Sequence, residues 1–217
     1  MDATRMSPQS KTVAYMLVVF FAVFIWSAIR PRDEFTWFLE VLPAAVGLVI
    51  LGAIYPRFKF TTFVCTFMLL HAIVLMVGGH YTYAEVPIGN WARDYFGLER
   101  NHYDRLGHFM QGFVPALIVR EVLVRNRVVK SRGWLTLLVF ASTMMITSVY
   151  ELLEYAVAMA AGSAADIFLG SQGDPWDTQK DMLMCLIGSV TALMFFGGAH
   201  DRAILRAEYR ARAAARA

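Results

Sequence analysis

The residues of this chain that are best suited to chemistry are acids and histidines that lie in or beside long apolar runs. Asp104, His108 and Gln111 are spaced four and three residues apart, so a helix places them on one stripe of its surface. Glu151 and Glu154 are three residues apart and share a helix face in the same way. Carboxylates and imidazoles at such spacing are able to ligate a metal ion or to act as acid and base catalysts.

A second group of acids stands at the start of the last apolar run. Asp177 and Asp181 are four residues apart, and Asp174 precedes them. Helix capping is a sufficient alternative explanation for Asp174, Asp177 and Asp104, because acids in a first turn satisfy its free N–H groups. The other candidates lie too far into their helices for capping: His108, Glu151, Glu154 and Asp181. A charge at the centre of a membrane helix costs roughly 2.5–3.5 kcal/mol, so these residues indicate a functional site.

The composition of the chain indicates a membrane protein. Of its 217 residues, 58% are hydrophobic and 17% are charged, and the mean hydropathy is +0.49. Soluble domains have about 45–50% apolar and about 25% charged residues. These values exclude a disordered chain, a nucleic-acid-binding tail and most soluble enzymes. Cys65 and Cys185 lie apart in apolar stretches and form neither a disulfide framework nor a metal-ligand pair.

Six apolar runs predict an all-α, polytopic membrane bundle of about six transmembrane helices, which forms a single domain over residues 1–200. The runs cover residues 12–29, 35–56, 60–79, 106–119, 133–150 and 182–199. A helix needs roughly 20 residues to cross the hydrocarbon core. The fourth run is shorter than that and contains His108, Gln111 and Pro115. Residues 201–217 are rich in Ala and Arg and are expected to form a basic cytoplasmic tail.

The positions of lysine and arginine predict which side of the membrane each loop occupies. With six spans, one side holds both termini, the loop at 56–60 and the segment 120–132, and it carries most of the 20 basic residues. The other side carries only Arg30, Arg32, Arg93, Arg100, Arg105 and Lys180. Because positively charged loops stay in the cytoplasm, we expect both termini there. The expected partner is the lipid bilayer, and no nucleic-acid partner is expected.

This topology gathers the acids and histidines at the outer ends of their helices. The fourth and sixth helices begin outside, so His108 and Asp181 lie about one turn in. Glu151 lies roughly 27 Å along the fifth helix, counted from the inside. The third helix ends at the same level with His80, and Glu85 follows it. The arrangement favours one shared, outward-facing pocket.

Two neighbouring elements border this layer. Glu40 is expected to snorkel or to face the outer interface. The segment that begins at Pro87 carries Ile88, Trp91 and Tyr95 at helical spacing, which is typical of a short helix lying in the membrane interface. A plain surface loop is the alternative for this segment.

The acids of this layer outnumber their basic neighbours. Three arrangements would balance this excess of negative charge. A divalent cation is held by carboxylates and imidazoles, some carboxyl groups stay protonated, or Arg105 and Lys180 neutralise part of the layer together with water. The candidate metal ligands are Asp104, His108, Glu151, Glu154, Asp177 and Asp181. The candidate catalytic residues are His108, Glu151 and Asp181, and the candidate substrate-binding residues are Arg105, Gln111, His80 and Glu85.

Several motifs resemble those of known bacterial membrane proteins. Residues 103–109, YDRLGHF, resemble the Asp-Lys-x-x-His-Phe signature of VanZ-like proteins, with Arg105 in place of Lys. Residues 177–188 resemble the Asp-x-x-x-Asp-x-x-x-Asn-x-x-Gly motif of that group, with Cys185 in place of Asn. Over residues 70–198 the chain is more similar to the YjdF-like family, through residues 79–87, 103–111 and 170–181. This resemblance implies a multi-pass bacterial inner-membrane protein from a family without an assigned reaction. VanZ-like proteins are associated with glycopeptide tolerance and the cell envelope.

Three functions are open at this point. The leading hypothesis is a pocket that binds a divalent metal and acts by hydrolysis or transfer on an envelope lipid or lipid-linked phosphate, with Arg105 meeting the anionic headgroup. The second is a transporter or proton-coupled permeation protein, for which intramembrane acids are also typical. Only His71 lies deep enough to continue such a path. The third is a structural or accessory protein whose polar cluster holds helices together.

Overall fold

The chain folds into helices joined by short turns. The computed structural model describes residues 8–162 and 166–214. Its helices are α1 (Pro8–Ala28), α2 (Glu34–Ile54), α3 (Thr62–Tyr81), α4 (Pro87–Phe96), α5 (Tyr103–Arg125), α6 (Arg132–Ala161), α7 (Asp166–Leu169) and α8 (Asp177–Ala214). A single 3₁₀ turn, Tyr83–Glu85, connects α3 to α4. The described residues contain no β-strand, which confirms the all-α class.

Five helices are long and apolar enough to cross a membrane: α1, α2, α3, α6 and α8. Their outward surfaces are apolar, with Val18, Val49 and Phe195 each more than 60% exposed. An apolar helix surface around internally hydrogen-bonded backbone is what a bilayer requires of a spanning segment. The polytopic membrane assignment is therefore confirmed.

The fourth predicted span corresponds to α5, which is long enough at 23 residues but carries several charges. It lies among α3, α6 and α8, so much of its surface faces protein rather than lipid. Arg105 contacts the start of α8, whereas Glu121 contacts Thr61 at the start of α3. The residues from His108 to Glu121 cover roughly 20 Å, so α5 runs the length of the bundle. We refer to its two extremities as the Arg105 end and the Glu121 end.

The helices alternate in direction between these two ends. Near the start of α1, the Gln9 side chain donates a hydrogen bond to the Phe60 carbonyl at the Glu121 end. After crossing the bundle, α8 reaches the same end at His200, which contacts Glu121. Both described chain ends therefore lie at the Glu121 end of the bundle.

The tightest contact in the bundle joins α5 and α8 through two glycines. A Cβ atom added at Gly112 would overlap the Cys185 backbone, and one added at Gly188 would overlap the Phe109 carbonyl group. Small residues allow helix backbones to approach closely in membrane proteins, where packing replaces the hydrophobic effect as the source of association. This close approach positions the acids of α8 against the histidine and arginine of α5.

An apolar layer fills the middle of the bundle between the two ends. Phe113 and Leu117 of α5 pack there with Val139 of α6 and Ala192 of α8, and all four are buried. Polar side chains concentrate above and below this layer. The core therefore separates the Arg105 end from the Glu121 end.

Several element boundaries differ from the apolar runs. α6 continues past residue 150 to Ala161, and α8 begins at Asp177 rather than at residue 182. In both cases acids interrupt the hydrophobic pattern but not the backbone hydrogen bonding. The expected basic tail from residue 201 continues α8 as helix to Ala214, and residues 215–217 lie outside the described residues.

The short helix predicted to open at Pro87 is present as α4, and its place in the membrane interface stays a prediction. Pro87 occupies its first turn, and Gly97 closes it in the left-handed conformation at φ 64°. Ile88, Trp91 and Tyr95 are all more than 60% exposed. The helix therefore offers an apolar, aromatic face to its surroundings, as a segment at headgroup depth does.

Candidate functional site

Three helices bring the predicted acids and histidine together at the Arg105 end. His108 Nε2 of α5 lies 3.4 Å from Asp104 Oδ1 and 3.6 Å from Asp181 Oδ1 of α8. Its Nδ1 lies 3.8 Å from Glu151 Oε1 of α6. All four side chains are buried. We refer to Asp104, His108, Glu151 and Asp181 as the acid–His cluster.

Gln111 holds the His108 ring in place. The Gln111 Oε1 atom lies 3.0 Å from His108 Nδ1 and accepts a hydrogen bond from the Thr147 hydroxyl at 3.3 Å. The Nδ1 atom donates to Gln111 when it carries the proton, which leaves Nε2 directed at Asp104 and Asp181. A second partner that fixes the tautomer and ring orientation is typical of metal-ligating histidines. Gln111, predicted to bind substrate, therefore lies beside the cluster as a positioning residue.

Arg105 links α5 to the acids at the start of α8. Its guanidinium donates to Asp177 Oδ1 at 2.5 Å and to Asp181 Oδ1, and it lies 3.4 Å from Asp174 Oδ2. Planar guanidinium groups are well suited to contact several carboxylates at once. Asp177 is therefore engaged by arginine and does not join the group of candidate ligand atoms around His108.

Arg100 is a second arginine of this network. From the sequence it was expected only to lie on the outer side of the membrane. Its Nη1 donates to Asp177 Oδ1 at 2.6 Å, and its Nη2 lies 3.6 Å from Asp104 Oδ2. It also donates to the carbonyl groups of Gly170 and Ser171. Arg100 lies before the first residue of α5, so the four-residue spacing rule for helices did not predict its pairing with Asp104.

His80 and Glu85 lie apart from the acid–His cluster. His80 Nδ1 is 3.0 Å from the Ser27 carbonyl, and its ring packs against Trp26 at a tilt, with centroids 4.5 Å apart. Glu85 forms an exposed ion pair with Arg32 at 3.8 Å, in the loop that follows α1. These contacts attach α3 and the following turn to the end of α1 and its loop. The structure thus places these two of the four predicted substrate-binding residues outside the cluster.

Glu154 and Glu40 extend the acidic character of this end. Glu154 lies one turn beyond Glu151, is half-buried, and makes no ion pair or hydrogen bond with another described residue. The expectation that Glu40 faces the outer interface was wrong: its side chain is buried, packs on Gly79 and lies beside the hydroxyls of Tyr83 and Tyr150. Glu40 sits on α2, and sequence separation concealed its place beside α3 and α6.

Two carboxylate oxygens of the cluster are buried without a hydrogen-bond donor among the described residues. They are Asp104 Oδ2 and Glu151 Oε1. One ligand atom each from Asp104, His108 and Asp181 lies within 4.8 Å of the other two. Burial of a carboxylate oxygen without a hydrogen-bond donor is energetically unfavourable. Oxygen and nitrogen atoms, one from each of several residues, are common ligands of a divalent ion. These three residues are thus able to hold a cation, with Glu151 beside them.

A cavity of 440 Å³ opens next to the cluster, and its lining is rich in basic groups. The lining includes Arg100, His102, Arg105, Asp174 and Lys180. Partial burial, together with the charges of Arg100 and Arg105, lowers the pKa of His102. The hydrogen bond from Lys180, at 2.6 Å, lowers the pKa of Asp174 and keeps it ionised. Three cations, Arg100, Arg105 and Lys180, therefore line this opening with two acids, Asp174 and Glu99.

A separate polar network, which was not predicted from the sequence, lies at the Glu121 end. The Glu121 carboxylate is fully buried and accepts hydrogen bonds from Thr61 N at 2.8 Å, Thr61 Oγ1 at 2.7 Å and Arg125 at 2.8 Å. It also lies 3.1 Å from His200 Nε2 of α8. Because these partners satisfy both oxygens, the network ties α3, α5 and α8 together and leaves no ligand position free.

The comparisons with known proteins agree with the fold and the membrane assignment. A family model described as "Predicted membrane protein (DUF2238)" matches residues 12–202. The chain is 45% identical over 184 residues to the inner membrane protein YjdF of Escherichia coli (strain K12), and the match covers 85% of this chain and 88% of that protein. No solved structure matches the chain. The YjdF-like resemblance and the multi-pass inner-membrane location are confirmed, and the chain belongs to the DUF2238 family of predicted membrane proteins.

Proposed function

We propose that the acid–His cluster binds a divalent cation, and that the adjoining cavity binds a phosphate group of an envelope lipid or lipid-linked precursor. The observation that carries this proposal is the set of buried ligand atoms of Asp104, His108 and Asp181, which lie within 4.8 Å of one another. Beside them, 3.8 Å from His108 Nδ1, Glu151 Oε1 is buried without a hydrogen-bond donor among the described residues. A cation held by Asp104, His108 and Asp181 would add positive charge next to Glu151, whose Oε1 has no donor among the described residues. Asp181 would be able to offer a ligand oxygen and keep its hydrogen bond from Arg105, since a carboxylate has about four lone-pair positions.

The basic lining of the cavity supports an anionic ligand. Arg100, His102, Arg105 and Lys180 line a space of 440 Å³ together with the acids Glu99 and Asp174. Arg105 connects this space to the cluster through its hydrogen bond to Asp181. Guanidinium groups bind phosphate through paired hydrogen bonds, and ammonium groups add a point charge. By the distribution of lysine and arginine, the Arg105 end faces the periplasm and the Glu121 end the cytoplasm. The ligand is therefore proposed to come from the outer side of the membrane.

Hydrolysis or transfer at phosphorus is the reaction class that such a centre suits. A bound divalent ion polarises a phosphoryl oxygen and lowers the pKa of a water molecule. In hydrolysis, the water oxygen bonds to phosphorus, and its proton passes to a cluster carboxylate such as Glu151. The phosphorus–oxygen bond to the leaving alcohol breaks as that oxygen regains a proton. The arginines hold the phosphate oxygens through this exchange.

The two other hypotheses have less support. A permeation path needs polar groups across the bilayer, yet the apolar layer of Phe113, Leu117 and Val139 lies between the two polar ends. A purely structural role accounts for the ion pairs of Arg100 and Arg105. It does not account for carboxylate oxygens that are buried without a donor, since the net contribution of such groups to stability is unfavourable.

Metal analysis of the purified protein tests the cation part of the proposal. We expect the wild type to retain Zn²⁺, Mn²⁺ or Mg²⁺ after soaking and dialysis, and His108→Ala and Asp181→Asn to lose it. His80→Ala is the matched control, because His80 lies at the same end but contacts α1. A wild type without any of these ions after soaking, or a His108→Ala protein that keeps them, contradicts the proposal.

Binding of a short-chain lipid phosphate tests the phosphate part. We expect Arg100→Gln and Lys180→Gln to weaken binding, since both residues line the cavity. Arg93→Gln is the control, because Arg93 is on α4 and pairs with the exposed Asp94 at 2.8 Å. Equal loss in the control and in the cavity variants would show that only the general charge of this surface attracts the ligand.

A further inference from the structure

A second cavity lies at the opposite end of the bundle, between the extension of α8 and the first turns of α1 and α3. It has a volume of 370 Å³, and its lining includes Gln9, Thr62 and Phe63. On α8 it is bordered by Arg202, Arg206 and Arg210. Because these arginines are four residues apart, they form one stripe that rises roughly 12 Å along the helix.

The three arginines have no countercharge within the described residues. Arg202, Arg206 and Arg210 are exposed and form no ion pair or hydrogen bond with any residue that the structure describes. The nearby acids are engaged elsewhere: Asp201 pairs with Arg120 at 2.6 Å, and Glu208 pairs with Arg212 at 3.6 Å. Three cationic groups are therefore directed to one cavity without an anion to balance them.

Small residues of α8 leave room for a ligand beside this stripe. Ala199, Ala203 and Ala207 also line the cavity, and they are spaced four residues apart like the arginines. Their short side chains keep α8 from filling the gap to α1 and α3. Phe63 contributes an apolar wall next to the polar Thr62 and Gln9. The cavity thus combines a cationic side with an apolar side.

The level of the cavity matches that of lipid headgroups. It lies where the apolar spans α1 and α3 begin, at Gln9 and Thr62, and where α8 leaves the bundle beyond Ala199. Basic pockets between transmembrane helices at this level bind anionic lipid headgroups, and each arginine near such a surface contributes about 1 kcal/mol. A free phosphate ion would satisfy the arginines but not the apolar wall.

We propose that this cavity binds the phosphate headgroup of an anionic phospholipid from the leaflet at the Glu121 end. The arginine stripe contacts the headgroup, and the apolar wall contacts the first part of an acyl chain. The site is independent of the acid–His cluster, which lies at the other end of α5. Its function is to anchor α8 to α1 and α3 through a lipid.

Native mass spectrometry of protein carrying dioleoylphosphatidylglycerol tests the proposal. We expect the wild type to retain this lipid and the combined variant Arg202→Gln, Arg206→Gln, Arg210→Gln to bind it roughly a hundredfold more weakly, at about fivefold for each arginine. Ala203→Phe fills the cavity without changing the charge and is expected to lose the lipid as well. It also keeps the test decisive if the combined variant fails to fold.

The matched control removes three arginines from the same end outside the cavity: Arg57→Gln, Arg127→Gln and Arg132→Gln. All three are exposed, and the control is expected to lose less than about fivefold in affinity, because salt screens distant charges. Equal loss in the control and the cavity variant overturns the proposal, because it indicates a diffuse surface charge. Equal retention of dioleoylphosphatidylcholine, or displacement of the lipid by excess inorganic phosphate, overturns it too.

Discussion

Replacing Gly188 with alanine tests the α5–α8 contact that holds the acid–His cluster together. The added Cβ overlaps the Phe109 carbonyl oxygen and lies 3.0 Å from Phe113 N, whereas ordinary contact begins at 3.4 Å. Since the opposing atoms are backbone, the helices must separate by roughly 1 Å, and overpacking of this kind costs about 1–3 kcal/mol. The same movement lengthens the 3.6 Å distance between His108 Nε2 and Asp181 Oδ1.

Thermal unfolding in detergent and cation binding measure these two effects. We expect Gly188→Ala to melt roughly 2–12 °C below the wild type and to bind a divalent cation at least about tenfold more weakly, because a 1 Å misplacement disrupts a preorganised site. Gly52→Ala is the control, because a Cβ there meets nothing within 4 Å. A Gly188→Ala protein that melts with the wild type refutes the close packing of the two helices. Lower stability with unchanged cation binding refutes the link to the cluster.

Three further predictions concern the other polar groups. Glu121→Gln is expected to lose roughly 2–4 kcal/mol of unfolding free energy in denaturant titrations, because an NH2 donor replaces one of the two accepting oxygens and the charge that pairs with Arg125 is lost. Cation binding should be unchanged, and equal stability would contradict the structural role of the network. A phosphate ligand in the cavity is expected to raise the lowered pKa of His102, because the bound anion favours the protonated ring. The affinity of the protein for the ligand therefore increases as the pH falls through the pKa of the complex, and it is greatest below the pKa of the free protein. NMR titration of His102 with and without ligand measures this, with a pH-independent His102→Gln variant as the control. A cysteine at Asn126, in a variant without native cysteines, is expected to react with an impermeant maleimide only from the cytoplasmic side, and labelling from the periplasm would reverse the proposed topology.

Helical spacing in the sequence predicted part of the candidate site. The stripe of Asp104, His108 and Gln111 and the spacing of Asp177 and Asp181 placed the important side chains on the correct faces. The depth of each residue along its helix predicted that these side chains lie at one level of the membrane. The distances around His108 agree with this prediction. Spacing did not separate the acids that arginine neutralises, such as Asp177, from those without an arginine partner among the described residues, such as Glu151. That difference depends on side-chain contacts between helices.

His80 and Glu85 show why shared depth is not sufficient. Both lie at the correct end of the bundle, but α3 carries His80 toward α1, where it contacts Ser27 and Trp26. Conversely, Glu40 is far from the site in sequence and lies beside Tyr83 and Tyr150. Residues on different helices become neighbours through the rotation of each helix about its axis. The pattern of a single chain contains little information on that rotation when several faces are apolar.

The amino-acid sequence alone determined the membrane location, the all-α class and the faces of α5 and α8 that carry the polar groups of the site. These properties follow from local hydrophobicity and from the 3.6-residue period, because the bilayer requires long apolar segments with internally satisfied backbones. Tertiary structure decided which polar groups meet. The contact at Gly112 and Gly188 sets α5 against α8, which pairs Arg105 with Asp181 and leaves Glu151 Oε1 buried without a donor among the described residues. Such pairings depend on packing between distant segments, where shape complementarity rather than local pattern selects one arrangement.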